Sequence, residues 1–98
     1  MADPKYYVGD SVNRAYEATL NGLPYSLSSG TINVWNPSDV KVVTDQAVTI
    51  AGTKATYQIA TSANIVSGVH KVEVVLVFAN SQGTLTFQET YTLLAAYP

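Results

Sequence analysis

The stretch VHKVEVVLVFA (Val69–Ala79), followed by NSQG (Asn80–Gly83) and TLTFQETYTLL (Thr84–Leu94), decides the fold class of this chain. In the first run His70, Val72, Val74, Leu76 and Phe78 alternate against Val69, Lys71, Glu73, Val75 and Val77. This is the period of two of an extended strand, whose successive side chains point to opposite faces. The later half is apolar on both sides, which predicts a central strand covered on both faces or a strand whose outer side meets a partner. Asn80–Gly83 has the length and residue types of a hairpin connection. The second run answers with Leu85, Phe87, Tyr91 and Leu93 against Thr84, Thr86, Gln88, Thr90 and Thr92. Glu89 falls on the apolar row, as does Arg14 in an earlier run. A β-bulge that re-aims Glu89 is the favoured reading, and an Arg14–Glu89 pair is the alternative.

Working outward, Val12 to Leu20 alternates with Val12, Tyr16, Ala18 and Leu20 on one side, and Asn21-Gly22 supplies a tight turn with positive φ. Leu23 to Leu27 follows, where Pro24 lacks a ladder donor and belongs at an edge or strand start. Ser28-Ser29-Gly30 reads as a second turn. Thr31 to Trp35 is a short strand closed by the turn cluster Asn36-Pro37-Ser38-Asp39. Val40 to Thr44 and Gln46 to Ala51 are two further extended runs, and Ala51-Gly52-Thr53 turns the chain into the strand Lys54 to Ala60. Thr61 to Gly68 admits one helical turn, with Thr61 or Ser62 as its N-cap and Gly68 closing it. Seven or eight short strands with regular turn signals predict an all-β, antiparallel immunoglobulin-like β-sandwich, with a small β-barrel as the alternative.

Composition agrees with that vocabulary. Of 98 residues, 13 are Val and 11 are Thr, 47% are hydrophobic and only 12% are charged. Such a length predicts one domain over residues 1–98, with a core spanning about 7–94, loose ends in the first five or so residues and in the 95–98 tail, and a stability of about 5–10 kcal/mol. The net charge of −2 gives no electrostatic footprint for nucleic acid or anionic lipid, and no apolar run approaches the length of a membrane span. With no Cys there is no disulfide framework, thiolate metal site or Cys nucleophile. The N-terminus lacks the apolar region of a signal peptide, so synthesis in the cytoplasm is expected.

Catalysis needs convergent titratable groups. The single His70 lies on the inner row of its strand and reads as structural, no Gly-x-Ser-x-Gly elbow accompanies the eight Ser, and the seven acids are scattered. Asp39 and Asp45 read as turn formers, and Glu73 beside Lys71 as part of a solvated face. No catalytic residue, cofactor or metal is therefore expected. The aromatic residues remain. Tyr16, Tyr57, Phe78, Phe87 and Tyr91 sit on inward rows, whereas Trp35 falls opposite Ile32 and Val34. Trp35 either packs under the Pro37 loop or stands exposed, where with Tyr25 it could stack on a sugar ring or anchor a protein. Tyr6, Tyr7 and Tyr97 lie on segments that the core does not require. The expected partner-contact residues are thus Tyr6, Tyr7, Trp35, Val75, Val77 and Tyr97.

The order of these features carries a resemblance. Gly9-Asp10 before an alternating strand, then Leu20-Asn21-Gly22-Leu23-Pro24-Tyr25-Ser26-Leu27-Ser28-Ser29-Gly30-Thr31-Ile32-Asn33-Val34, resembles the opening of the N-terminal immunoglobulin-like domain of phage upper baseplate proteins. Thr56-Tyr57-Gln58-Ile59, Ile65 to Val74 and Ser81 to Phe87 are similar to later segments of that family, so that the likeness runs from residue 7 to 94. In that family the domain is the attachment module of a longer chain; here the domain is expected to stand alone, without a receptor-binding or fibre portion. The resemblance implies a non-enzymatic virion structural protein of a tailed phage, on the baseplate, tail, neck or capsid surface. It would contact other virion proteins and assemble in many copies, as a homo-oligomer or larger array. A carbohydrate-binding or adhesion module is the alternative, with a surface glycan as ligand.

Overall fold

The structure, a computed structural model, describes residues 5–95. Each long alternating run is a strand, and ten strands form in all among these residues: β1 (Lys5–Tyr7), β2 (Val12–Glu17), β3 (Thr19–Leu20), β4 (Leu23–Pro24), β5 (Leu27–Trp35), β6 (Lys41–Ala47), β7 (Thr49–Ala51), β8 (Lys54–Ile59), β9 (Gly68–Phe78) and β10 (Thr84–Leu94). The larger sheet has the order β1-β10-β9-β5-β6 and the smaller β2-β8-β7, with β3 and β4 as a separate hairpin. Apart from β1, which runs parallel to β10, all pairings are antiparallel. The sequence β10-β9-β5-β6 against β2-β8-β7 is the G-F-C-C′ over B-E-D arrangement of immunoglobulin-like sandwiches. Among the described residues the two sheets share no strand ladder and do not close on one another, so the barrel alternative is not realised.

The two sheets meet through their inner rows. Ile32, Val34, Val72, Val74, Leu76 and Leu93 of the larger sheet are at most 2% exposed, and they form one apolar cluster with Val12, Ala55, Tyr57 and Ile59 of the smaller. Burial of such side chains contributes about 1.5–3 kcal/mol each before conformational entropy is set against it. His70 joins this layer fully buried, stacked on Tyr91 with ring centroids 4.9 Å apart. Its Nδ1 lies 3.2 Å from the Gly68 carbonyl and its Nε2 has no partner, as suits a neutral ring donating from Nδ1. Burial lowers its pKa below the ordinary 6.5, opposed by the hydrogen bond to Gly68.

Several sequence expectations are corrected. Ser28-Ser29-Gly30 is not a turn but the bulged start of β5, where the register against β9 shifts between Leu27 and Ser29. Gly30 is there because of crowding: a Cβ would come within 2.7 Å of Leu76 Cδ2 and Val48 Cγ2 and 3.1 Å of the Val75 carbonyl. The run upstream keeps only Leu23–Pro24 as strand, paired with Thr19–Leu20 around the Asn21-Gly22 turn, whose φ values are 54° and 81°. The break expected at Asp45 falls instead at Val48. Asp45, at φ 47°, is a bulge residue whose amide donates to Asn33 Oδ1 at 2.9 Å. The helical turn is a 3₁₀ turn over Thr61–Ala63 that follows Ala60 without a side-chain cap. No bulge re-aims Glu89, because β10 keeps an unbroken register from Thr84 opposite Val77 to Leu93 opposite Gly68. The alternative holds: Arg14 Nε is 3.6 Å from Glu89 Oε1, and the Tyr57 hydroxyl donates to the same oxygen at 2.5 Å.

Of the first five residues, 1–4 lie outside the described residues, and Lys5 belongs to β1. Lys5–Tyr7 lies beside Thr92–Leu94, and the Tyr6 ring meets Tyr91 edge-on at 6.3 Å. Of the 95–98 tail, residues 96–98 lie outside the described residues.

Candidate interaction face

Strand register assembles a face that no single run displays. On the outer side of the larger sheet Trp35 is flanked by Lys41 of β6 and Lys71 of β9, which in turn is opposite Thr90. The next row is Asn33, Glu73 and Gln88, and the one after it Ala47, Thr31, Val75 and Thr86. Ser29, Val77 and Thr84 complete the face. The Lys41 ammonium sits 5.3 Å from the Trp35 ring centre, and Lys71 Nζ is 3.6 Å from Asp39 Oδ1. Both groups of that ion pair are largely exposed, so it adds little to stability.

The face thus has two ends of different chemistry. Trp35, Asp39, Lys71, Val72, Glu73 and Gln88 line a groove of about 310 Å³ at one end. Toward the hairpin every outward residue from Thr31, Val75 and Thr86 onward is uncharged, and Val75 and Val77 are half-buried with no second layer over them among the described residues. The outer side of the smaller sheet differs, since Glu17 and Lys54 face each other across its strands.

The expected contact residues divide accordingly. Trp35, Val75 and Val77 share this face, and Tyr7, in register with Leu94, lies on the same side at its β1 edge. Tyr6 does not. Its partner in register is the buried Leu93, and it packs on the core, so its segment is part of what the core requires. Tyr97 lies outside the described residues. Trp35 is half-buried on the sheet, while Pro37 of the following loop packs against Gly68, where a Cβ would meet the Pro37 ring at 2.7 Å. The loop itself is held by Asn36, whose Oδ1 accepts from the Ser38 and Val40 amides at 2.9 and 3.0 Å. Tyr25 is not near Trp35: it meets Phe78 edge-on at 5.9 Å at the opposite end of β9, so the two rings do not form one platform.

Lys41, Asp39, Glu73 and Gln88 were not legible as site residues. They come together only through pairings between strands distant in sequence. The Thr row of β10, by contrast, is visible in the alternation of Thr84, Thr86, Thr90 and Thr92.

Fold and face together define a class: an all-β sandwich of immunoglobulin-like strand order with one broad, largely uncharged sheet face. Compared with known proteins, the chain matches no family model, no curated protein and no solved structure.

Proposed function

We propose that this chain is a non-enzymatic assembly module that docks onto a larger particle through the outer face of its larger sheet. The observation that carries the reading is the convergence of Trp35, Val75 and Val77 on one face whose hairpin half has no charge. Apolar and aromatic side chains with few charges are what the core of a protein interface uses. The resemblance of its turn and strand motifs makes the particle a tailed-phage virion, with other virion proteins as the neighbours and many copies assembled.

A glycan is the second reading, favoured by the groove beside Trp35. An indole face bordered by carboxylates, an ammonium and an amide has the parts that bind a sugar ring by stacking and hydrogen bonds.

One set of variants separates the two. Val75→Lys/Val77→Lys places charge in the apolar half, and Trp35→Ala removes the ring from the groove. Co-sedimentation with purified phage virions and their tail and capsid subassemblies is expected for the wild-type chain and lost in the Val75/Val77 variant. Fluorescence of the single Trp during titration with a glycan panel checks the alternative. A shift abolished by Glu73→Gln, with no binding to particles, would replace the first reading by the second.

A further inference from the structure

The β10 edge carries an inference independent of that face. β10 pairs with β9 along its whole length, but on its other side β1 covers only Thr92–Leu94. Among the described residues, the stretch Thr84–Tyr91 therefore has one open edge. Its hydrogen-bonding phase follows from the bond between the Phe78 amide and the Gly83 carbonyl at 2.9 Å. Directly opposed residues alternate between bonded and non-bonded pairs in an antiparallel ladder. Gly83, Leu85, Phe87, Glu89 and Tyr91 therefore bond toward β9, and the amides and carbonyls of Thr84, Thr86, Gln88 and Thr90 point to the open edge. The Leu94 carbonyl, in the same phase, accepts from the Val8 amide at 3.0 Å, so this edge already takes an added strand at its far end.

The other edges are guarded in the ways that block unwanted strand pairing. β6 is broken by register shifts against β5 and carries Lys41 and Asp45. β7 is only three residues long, and β2 presents the exposed Glu17 and the inward Arg14. Thr84–Tyr91 carries at most one such device, an inward charge. It has no Pro, Lys or bulge, and its one charge, Glu89, faces inward and is engaged by Arg14 and Tyr57.

We infer that a second copy of this chain pairs here, β10 against β10 and antiparallel about a two-fold axis centred on Phe87. In that register Thr84 opposes Thr90 and Thr86 opposes Gln88. All four outward-pointing residues then bond, giving about eight backbone hydrogen bonds. The cross-strand pairs on the outer face are neutral; on the inner side Phe87 meets Phe87, and Leu85, now 36% exposed, lies opposite the partner's Glu89, a carboxylate held by Arg14 and Tyr57 within each copy. The pairing fills the open stretch and stops where β1 begins. A two-fold contact of this kind is self-complementary and closed, and it joins the two larger sheets into one continuous sheet.

Sedimentation velocity over a concentration series, with amide exchange on the same samples, tests the pairing. The wild-type chain is expected to dimerise, with protection of the Thr86 and Gln88 amides that rises with concentration while that of Phe87 does not. Thr86→Pro removes an amide that the β9 ladder does not use, and Thr86→Lys/Gln88→Lys sets like charges opposite one another across the axis. Each is expected to weaken dimerisation at least about tenfold, with the circular dichroism of the monomer unchanged. Val75→Lys/Val77→Lys is expected to leave the dimer intact, which distinguishes failure of the docking face from failure of this edge. A wild-type chain that is monomeric at millimolar concentration, or a dimer that survives both edge variants, overturns the inference. So does a monomeric chain whose binding to particles is lost on Thr86→Pro, since the edge would then take a strand from a different protein.

Discussion

Tyr91 shows how much one hydroxyl can organise. Its ring lies between His70 and Tyr6, and its hydroxyl donates to Asn64 Oδ1 at 2.8 Å. Asn64 is fully buried and spends two further groups on the β1–β2 connection: its Nδ2 donates to the Asp10 carbonyl, and its own carbonyl accepts from the Gly9 amide. Burial pushes the Tyr91 phenol well above its ordinary range, so it remains a donor at any working pH. Tyr91→Phe leaves the Asn64 acceptor buried without a donor and should cost about 1–3 kcal/mol, measured by urea unfolding. A change near zero would show that water or a rotated Asn64 replaces the bond. Glu89 gives a second expectation. Burial raises its pKa above the ordinary 4.5, with Arg14 working against the shift. A raised folded pKa contributes stability that is complete below 4.5 and lost as pH rises through the folded value. His70 has the opposite sign, its contribution being present above 6.5 and lost as pH falls through its lowered folded pKa. Glu89→Gln keeps an acceptor for the Tyr57 hydroxyl and removes the titration. The stability difference, wild type minus variant, should therefore decline as pH rises above about 4.5; a flat difference would show that Arg14 fully offsets the burial.

Among the elements, β5 departs furthest from its sequence signal. Ser28-Ser29-Gly30 has turn composition, and local preference alone makes it a turn. Its neighbours make it a strand: the register against β9 resumes at Ser29, and Gly30 lets Val48 and Leu76 pack over bare backbone. Gly30→Ala forces those two side chains apart in a filled core and should destabilise by about 1–3 kcal/mol in thermal or urea unfolding, despite the higher intrinsic rigidity of Ala. An unchanged stability would mean that the Val48 segment yields. β8 and β9 stand at the other extreme, since strict alternation over Lys54–Ile59 and Gly68–Phe78 places every second residue in the core. β1 left no such trace, because three residues beside the end of β10 are too few to show a period. Arg14 and Glu89 were visible as misfits in two rows, but that they resolve each other depends on β2 and β10 lying on the same flank of the sandwich.

At the scale of the molecule, low charge becomes a matter of distribution. Lys41, Asp39, Lys71 and Glu73 gather at the Trp35 end, while the hairpin half of the same sheet and the outward row of β10 have none. The proposed uses fall on different parts of this map: the face receives a neighbour, and the edge receives a second copy. Their variants are separable, since Val75 and Val77 stand on the face and the Thr86 amide points along the sheet. Alternation, turn residues and composition determined by themselves that the chain is all-β, which rows turn inward, and where the Asn21-Gly22 and Asn80–Gly83 turns lie, because these properties depend on residues near one another in sequence. Only the tertiary structure decided that Ser28–Gly30 is strand, that Glu89 answers Arg14, that Trp35 shares a face with Val75 and Val77, and which edge of β10 is left open. Those are pairings across tens of residues, and their register is set by burial and backbone hydrogen bonding between strands, which no local run of sequence contains.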